Sequence, residues 1–206
     1  MNTLFYSRKG GQGKTTHAVA YARHSGAHFL TFDYDNGTRG LYETLLPEGH
    51  FHEIPPTGQL IAYEGEDHVF DFGGYLDERI IRTAKVCDQC VIPIAFQSLA
   101  EIKPFIDTVS ELAKHNKNII LLINNTEREY LDDLKEAIRK NFSFPIFVIP
   151  RSKFISKLSV YQKTPIELYE GKEASLLQRH HLKNLAPAFR EFYDYLSKEK
   201  QHDTSR

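Results

Sequence analysis

Residues 9–16 read Lys9-Gly10-Gly11-Gln12-Gly13-Lys14-Thr15-Thr16, and they lie between an apolar run (3–7) and an amphipathic stretch (15–25). Glycines at such a junction permit positive φ angles and let the backbone approach a bound group closely. The open amides and the positive dipole end of the following helix favour an anion. The spacing therefore predicts a phosphate-binding loop, with Lys14 on the β- and γ-phosphates of a nucleotide and the Thr15 hydroxyl on Mg²⁺. The alternative, a glycine-rich turn before a helix, fits the Gly-Lys-Thr ending poorly.

The rest of the chain alternates short apolar runs with longer amphipathic stretches, which is typical of an α/β protein with a mostly parallel sheet. The predicted strands are 3–7, 28–32, 69–72, 90–95, 118–123 and 145–149. The predicted helices are 15–25, 77–85, 99–115, 127–141, 152–159 and 174–198. Pro104 predicts a kink or a late helix start, and Pro187 predicts a break in the last helix. Prolines and glycines predict that 37–66 is irregular, with a short strand near 60–63.

Composition limits the classes of function. The 206 residues are 41% hydrophobic and carry a formal net charge of −1, so any contact with DNA has to come from a local basic face. No apolar run approaches the roughly 20 residues that cross a bilayer, and the first residues do not resemble a secretory signal. Two cysteines are too few for a disulfide framework, and they favour a reducing cytoplasm.

A second lysine in the loop narrows the class of protein. The general pattern Gly-x4-Gly-Lys-Thr needs glycine at position 8, where this chain has Arg8, and Lys9 instead opens the loop. Lys-Gly-Gly-x-Gly-Lys-Thr-Thr resembles the deviant Walker A motif of the ParA/MinD superfamily, and the resemblance extends over roughly residues 1–170. It implies a P-loop NTPase fold, a doubly wound, mainly parallel sheet with helices on both faces. It also implies one ATPase domain over 1–198, and we expect a polar, frayed tail at 199–206.

The resemblance also assigns roles within the loop. It implies that Lys9 reaches across a dimer interface to the partner's nucleotide, so that Lys9 and Lys14 both act in catalysis. A solvated loop lysine is the alternative for Lys9. The residues implied to bind ATP are Gly10, Gly11, Gln12, Gly13, Lys14, Thr15 and Thr16.

Two acidic segments resemble further parts of the family's site. Asp33 and Asp35 follow the second predicted strand, as in the family's Asp-x-Asp-Pro-Gln segment, although Asn36-Gly37 replaces Pro-Gln. By this resemblance Asp33 lies near the Mg²⁺ shell and Asp35 positions the attacking water. Asp71 ends the apolar strand 69–72, as a Walker B aspartate that holds a Mg²⁺-bound water does, and Gly73-Gly74 follows where many relatives have Pro-Pro. Surface carboxylates at turns are the alternative in both cases.

The base is expected near two later segments. Asn124 and Asn125 end a strongly apolar strand, where the family often places an asparagine against adenine. We favour Asn124, although the sequence alone leaves the choice open and a simple turn pair is the alternative. Pro150 and Arg151 follow the next predicted strand, and by the same resemblance they flank the base.

The resemblance implies an ATPase that binds Mg²⁺ and ATP, dimerises around the nucleotide and hydrolyses it slowly to drive DNA partition. It also implies a partner, a ParB-like or other small adaptor protein, that stimulates hydrolysis. A basic face of Lys153, Lys157 and Lys163 with Arg139, Lys140 and Arg151 would bind DNA nonspecifically. We expect no membrane contact and a cytoplasmic location, on the nucleoid if DNA is bound.

Alternatives to this function remain open. One is an accessory switch for conjugation, or for positioning another complex, without DNA binding of its own. Another is a metal-cluster carrier that uses Cys87 and Cys90, whose C-x-x-C spacing otherwise fits two core residues. A small-molecule ligase similar to dethiobiotin synthetase is a further option within the P-loop group.

Overall fold

The computed structural model describes residues 1–34, 37–58, 63–74, 78–172 and 174–198. The predicted tail at 199–206 and most of the predicted strand at 60–63 therefore lie outside the described residues. No helix among the described residues is long and apolar enough to cross a membrane.

Seven parallel strands in the described ranges form one sheet. The strands are β1 (Asn2–Phe5), β2 (His28–Thr31), β3 (Phe51–Glu53), β4 (His68–Asp71), β5 (Gln89–Ile94), β6 (Ile119–Asn124) and β7 (Ile146–Ile149). Their order across the sheet is β3-β2-β4-β1-β5-β6-β7, so the chain winds in both directions from β1. This confirms the predicted doubly wound sheet, whose carboxyl edge is the usual place for a ligand.

Helices cover both faces of this sheet. They are α1 (Lys14–Ser25), α2 (Thr38–Tyr42), α3 (Glu78–Val86), α4 (Ile102–Leu112), α5 (Leu131–Asn141), α6 (Leu158–Tyr161), α7 (Pro165–Glu170), α8 (Leu176–Leu182) and α9 (Leu185–Lys198). One hydrophobic cluster joins the sheet to α1 and α9, and a second joins its other face to α3, α4 and α5. Burial of these apolar faces from water is the main force that holds the layers together.

Two local predictions differ from the structure, and a third agrees with it. The stretch predicted to be irregular contains α2, a 3₁₀ turn at Glu43–Leu45 and the edge strand β3. The last helix breaks at 183–184 rather than near Pro187, because Pro187 lies in the first turn of α9, where a missing N–H is tolerated. The prediction of a late start at Pro104 is confirmed, since a 3₁₀ turn at Leu99–Glu101 precedes α4.

The amino edge of the sheet carries a cluster of histidines. His28 Nδ1 lies 2.9 Å from His52 Nε2, and the His28 ring stacks on that of His50 with centroids 4.2 Å apart. His28 also pairs with Glu66. The ring of His68, on β4, lies against the His28 ring, with centroids 5.9 Å apart. This histidine cluster lies at the end of the sheet opposite the phosphate loop.

Candidate functional site

The glycine-rich loop connects β1 to α1 in a conformation that depends on its glycines. Gly11 and Gly13 have φ angles of 74° and 79°, in the left-handed region that favours glycine. The first amide of α1 with an acceptor inside the helix is that of His17, which donates to the Gly13 carbonyl at 3.0 Å. The amides before it, at the start of α1, have no intrahelical acceptor and are available to an anion.

Gly13 is also packed tightly against β6. A Cβ atom at this position would lie 3.0 Å from Asn124 Oδ1 and 3.3 Å from His17 Cδ2. The Asn124 side-chain amide also donates to the backbone carbonyl of Gln12 at 2.9 Å, so the end of β6 holds the loop in place. Glycine is therefore required at position 13 for both its φ angle and its size.

Replacing Gly13 with alanine is expected to lower the free energy of unfolding by about 1–2 kcal/mol, because a left-handed non-glycine residue is strained and its Cβ displaces Asn124. Nucleotide affinity should fall with it. Urea unfolding measures the first effect. The matched control is Gly40→Ala in α2, where no atom lies within 4 Å of the added Cβ, and equal stability of the two variants would contradict this account.

Lys14 begins α1, and its side chain is largely buried beneath the loop. Its Nζ donates to the Lys9 carbonyl at 3.3 Å. Burial lowers the pKa of Lys14, whereas the carboxylates of Asp71 and Asp33 raise it. The structure thus places a partly desolvated ammonium group inside the loop, where it is available to a multiply charged anion.

Asp71, at the carboxyl end of β4, faces the start of α1. Its Oδ2 accepts from Thr15 Oγ1 at 2.8 Å and from Thr31 Oγ1 at 3.3 Å, while its buried Oδ1 has no partner among the described residues. Burial raises the pKa of Asp71 to about 7, which the Thr15 hydrogen bond and the charge of Lys14 oppose. The backbone amide of Asp33 donates to Thr31 Oγ1 at 3.2 Å, and the Asp33 carboxylate lies near enough for its charge to raise the pKa of Asp71 as well.

These oxygens fit Mg²⁺. The ion prefers hard oxygen ligands and keeps several waters, and the group offers the Thr15 hydroxyl and a buried carboxylate with one unused oxygen. The predicted Mg²⁺ residues Thr15, Asp33 and Asp71 are therefore brought together at the end of β4. Asp35, predicted to position the attacking water, lies outside the described residues.

A cavity of about 610 Å³ opens beside the loop. It is lined by Gly11, Gly13, Thr16, Asn124, Asn125, Arg151, Ser152, Lys153 and Ile155. Both candidate asparagines reach it, so the choice between them stays a prediction, although Asn124 is already engaged with the loop. Arg151 lines it too and pairs with Glu127, whereas Pro150 lines a neighbouring cavity of about 500 Å³. The cavity continues from the phosphate loop and has room for a nucleoside.

Comparison with known proteins gives matches among solved structures alone: no protein-family model matches the sequence, and no curated protein matches it significantly. The MinD of the MinC:MinD cell division complex from Aquifex aeolicus aligns over 93% of this chain and 95% of its own, with a TM-score of 0.61 and 13% identity. The ATP complex of Cyanothece McdA aligns over 95% and 96%, with a TM-score of 0.61 and 14% identity. This chain has the MinD/ParA fold. A putative plasmid partition protein from Borrelia burgdorferi bound to AMPPNP aligns over 93% and 98%, with a TM-score of 0.54 and 15% identity.

The second lysine of this MinD/ParA fold makes a contact that sequence reasoning missed. Lys9 Nζ donates to Glu101 Oε1 at 2.5 Å, although 92 positions separate the two residues. The other oxygen of Glu101 accepts from Gln12 Nε2 at 2.9 Å. Lys9 is thus bound within its own protomer, and no local sequence signal marks Glu101 as its partner.

The diglycine after β4 also touches the loop. A Cβ on Gly74 would lie 3.1 Å from the Arg8 carbonyl oxygen and 3.2 Å from the Gly10 nitrogen. Gly74 therefore brings the segment after Asp71 close against the backbone of the phosphate loop.

Cys87, just before β5, and Cys90, within it, are both buried. Burial raises the pKa of the Cys87 thiol well above its usual value and that of Cys90 to about 12, which disfavours the thiolates that bind metal. Among the described residues, no group of three or more histidine, cysteine and acidic side chains is arranged to hold a metal ion. The arrangement fits core packing better than a cluster shared between subunits.

Proposed function

We propose that this chain is a ParA-like ATPase, which binds Mg²⁺ and ATP, dimerises around the nucleotide and hydrolyses it slowly to drive DNA partition. The observation that carries the proposal is the meeting of Lys14, Thr15 and Asp71 beneath a glycine loop that opens with a second lysine. The MinD/ParA fold and the nucleotides named for two of its structural neighbours support the same conclusion.

In this proposal the triphosphate lies along Gly10, Gly11, Gln12 and Gly13 and at the start of α1. The loop amides and Lys14 bind its oxygens, and the cavity beside Asn124, Asn125 and Arg151 takes the base. Pro150, which was expected to flank the base, lines the neighbouring cavity instead, and Arg151 lines both cavities. Thr16 lines the same cavity, and its hydroxyl lies 3.3 Å from the Tyr42 hydroxyl.

Thr15 and Asp71 would hold Mg²⁺, with Asp33 in its outer shell. When bound, the ion offsets the negative charge of the phosphates. Lys14 neutralises charge on the transferring group, and Asp35 orients the water. Thr31 keeps Asp71 in place, because its hydroxyl donates to the carboxylate that also accepts from Thr15.

Dimerisation would bring Lys9 to the nucleotide of a second copy. A partner protein is proposed as well, either a ParB-like protein or another small adaptor that stimulates hydrolysis. One structural neighbour is itself named as a complex of MinD with MinC. Such a protein would act in the cytoplasm, on the nucleoid while it is bound to DNA.

A second candidate function is an accessory switch that positions another complex, or serves conjugation, without touching DNA. The specific observation in its favour is that at least two of the six cations of the proposed DNA face form ion pairs with acidic side chains. Arg151 pairs with Glu127, and Lys140 pairs with Glu136 at 2.8 Å. Paired cations gain less from phosphate contacts than open ones, because each contact first breaks an ion pair.

Sedimentation and DNA titration separate these functions. We expect a dimer with Mg-ATP but not with Mg-ADP, and binding of a random duplex that requires ATP and weakens as salt rises. Charge reversal at Lys157, an exposed residue of the proposed DNA face, should weaken DNA binding about tenfold, whereas reversal of Lys114 in the turn after α4 should not. An ATP-dependent dimer that binds no DNA at low salt would favour the accessory switch. If calorimetry shows no heat of binding with Mg-ATP, both proposed functions are wrong.

A further inference from the structure

The glycine loop is tied to the start of α4 by a buried carboxylate. Glu101 is 7% exposed and lies between two loop side chains, with one oxygen on Lys9 and the other on Gln12. The Gln12 carbonyl Oε1 in turn accepts from the amide of Ala95, just after β5, at 2.7 Å. Lys9, Gln12 and Glu101 thus form one connected network, which we call the loop brace.

A negative charge at this place needs a reason. A carboxylate beside a phosphate loop repels the anion that the loop is built to bind, and burying it is unfavourable unless it is paired. Glu101 has no contact with Lys14, Thr15 or Asp71 among the hydrogen bonds and ion pairs described here, so it does not serve the metal group. Its partners are instead two other side chains of the loop, Lys9 and Gln12.

The two partners of Glu101 differ in how easily they leave. Lys9 keeps 38% of its side chain exposed, so it can turn outward and exchange a carboxylate for water or for another anion. Gln12 is buried and is held at both ends of its amide, by Glu101 and by Ala95. When Lys9 leaves, Glu101 keeps its hydrogen bond from Gln12 but loses its charged partner. The lysine can therefore leave alone, and the buried carboxylate is then without a cation.

We propose that Glu101 restrains Lys9 within its own protomer, and that dimerisation requires Lys9 to exchange Glu101 for the phosphates of the nucleotide bound to a second copy. This inference rests on the proposed nucleotide-dependent dimer and adds a competitor to it. Glu101 acts through Lys9 and is a positioning residue. The ion pair opposes dimerisation until a triphosphate, with its larger charge, replaces the carboxylate.

The first test is the dimer dissociation constant measured by sedimentation in Mg-ATP. Glu101→Gln keeps the shape and one hydrogen bond but loses the charge, so it should tighten the dimer about fivefold, a factor equal to roughly 1 kcal/mol. Glu111→Gln is the matched control, since it removes a partly exposed carboxylate near the end of α4 that is paired with Lys114. An unchanged or weaker Glu101→Gln dimer overturns the inference.

The second test needs no nucleotide. A double-mutant cycle of Lys9→Ala and Glu101→Gln, measured by urea unfolding, should show coupling between the two residues. Lys9→Ala should lower the unfolding midpoint more than Glu101→Gln does, because it leaves a buried carboxylate with Gln12 as its one partner. Absence of coupling overturns the inference whatever the dimer does. If Glu101→Gln does not fold, Glu101→Asp replaces it, and this shorter acid should give a smaller gain in dimerisation.

The two tests separate failure of this inference from failure of the proposed function. If the parental protein forms no dimer in Mg-ATP at any concentration, the proposed function fails, while coupling in the cycle still reports the restraint. If the parental protein dimerises and Glu101→Gln behaves as Glu111→Gln does, the proposed function stands and the restraint is wrong.

Discussion

Replacement of Lys14 with alanine is expected to weaken Mg-ATP binding by at least about a hundredfold. Lys14 is buried and partly desolvated before any ligand arrives, so its charge-assisted hydrogen bonds to phosphate do not require further desolvation of the lysine. Two such bonds, at about 1.5–3 kcal/mol each, account for a loss of this size. Isothermal titration calorimetry with a non-hydrolysable ATP analogue measures it.

The matched control for this prediction is Lys114→Ala, which removes an exposed lysine that is paired with Glu111. The control should bind nucleotide as the parental protein does. If Lys14→Ala binds within threefold of the parental affinity while its circular dichroism is unchanged, the triphosphate does not lie in this loop.

Replacement of Asp71 with asparagine is expected to have opposite effects on stability and activity. With magnesium removed by EDTA, the variant should be more stable than the parental protein at pH 8 by about 2 kcal/mol, because a buried carboxylate no longer has to ionise. The amide keeps an acceptor for Thr15 and Thr31. Mg²⁺-dependent ATP hydrolysis should fall about a hundredfold, since a neutral amide holds the ion poorly.

The pH dependence gives this prediction a sign that can be checked. Burial raises the pKa of Asp71 from 3.8 to about 7. The stability that the protonated carboxyl group contributes is fully present below the pKa of Asp71 in the unfolded chain. It is lost as the pH rises through the pKa of Asp71 in the folded protein. The advantage of Asp71→Asn in urea unfolding should therefore be small at pH 4 and grow up to about pH 7. An advantage independent of pH, or one shared by Asp132→Asn at an exposed site, would contradict it.

The sheet could be predicted because its strands are short apolar runs that pack on both faces. Ile119–Asn124 shows this well, since all six residues are buried and the run is unambiguous in the sequence. Edge elements gave weaker signals. β3 has three residues and a half-polar pattern, and α2 begins after a glycine with a φ angle of 71°, so neither differs locally from a loop.

The candidate site could be predicted where one segment carries its own chemistry. The loop of residues 9–16 has a defined spacing, and Asp71 ends an apolar strand, so both were found without coordinates. Glu101 was missed because its contacts join residues 89 and 92 positions apart, and only the fold brings them together. Whether Asp35 positions water stays a prediction, since Asp35 lies outside the described residues.

The histidine cluster makes the amino edge of the sheet sensitive to acid. Burial, together with neighbouring imidazoles, lowers the pKa of His52 and of His68, so the folded protein resists their protonation. Their contribution to stability is present above about pH 6.5 and is lost as pH falls towards their folded values. Acidification would therefore weaken the packing around His52 on β3 and His68 on β4, at the end of the sheet opposite the phosphate loop.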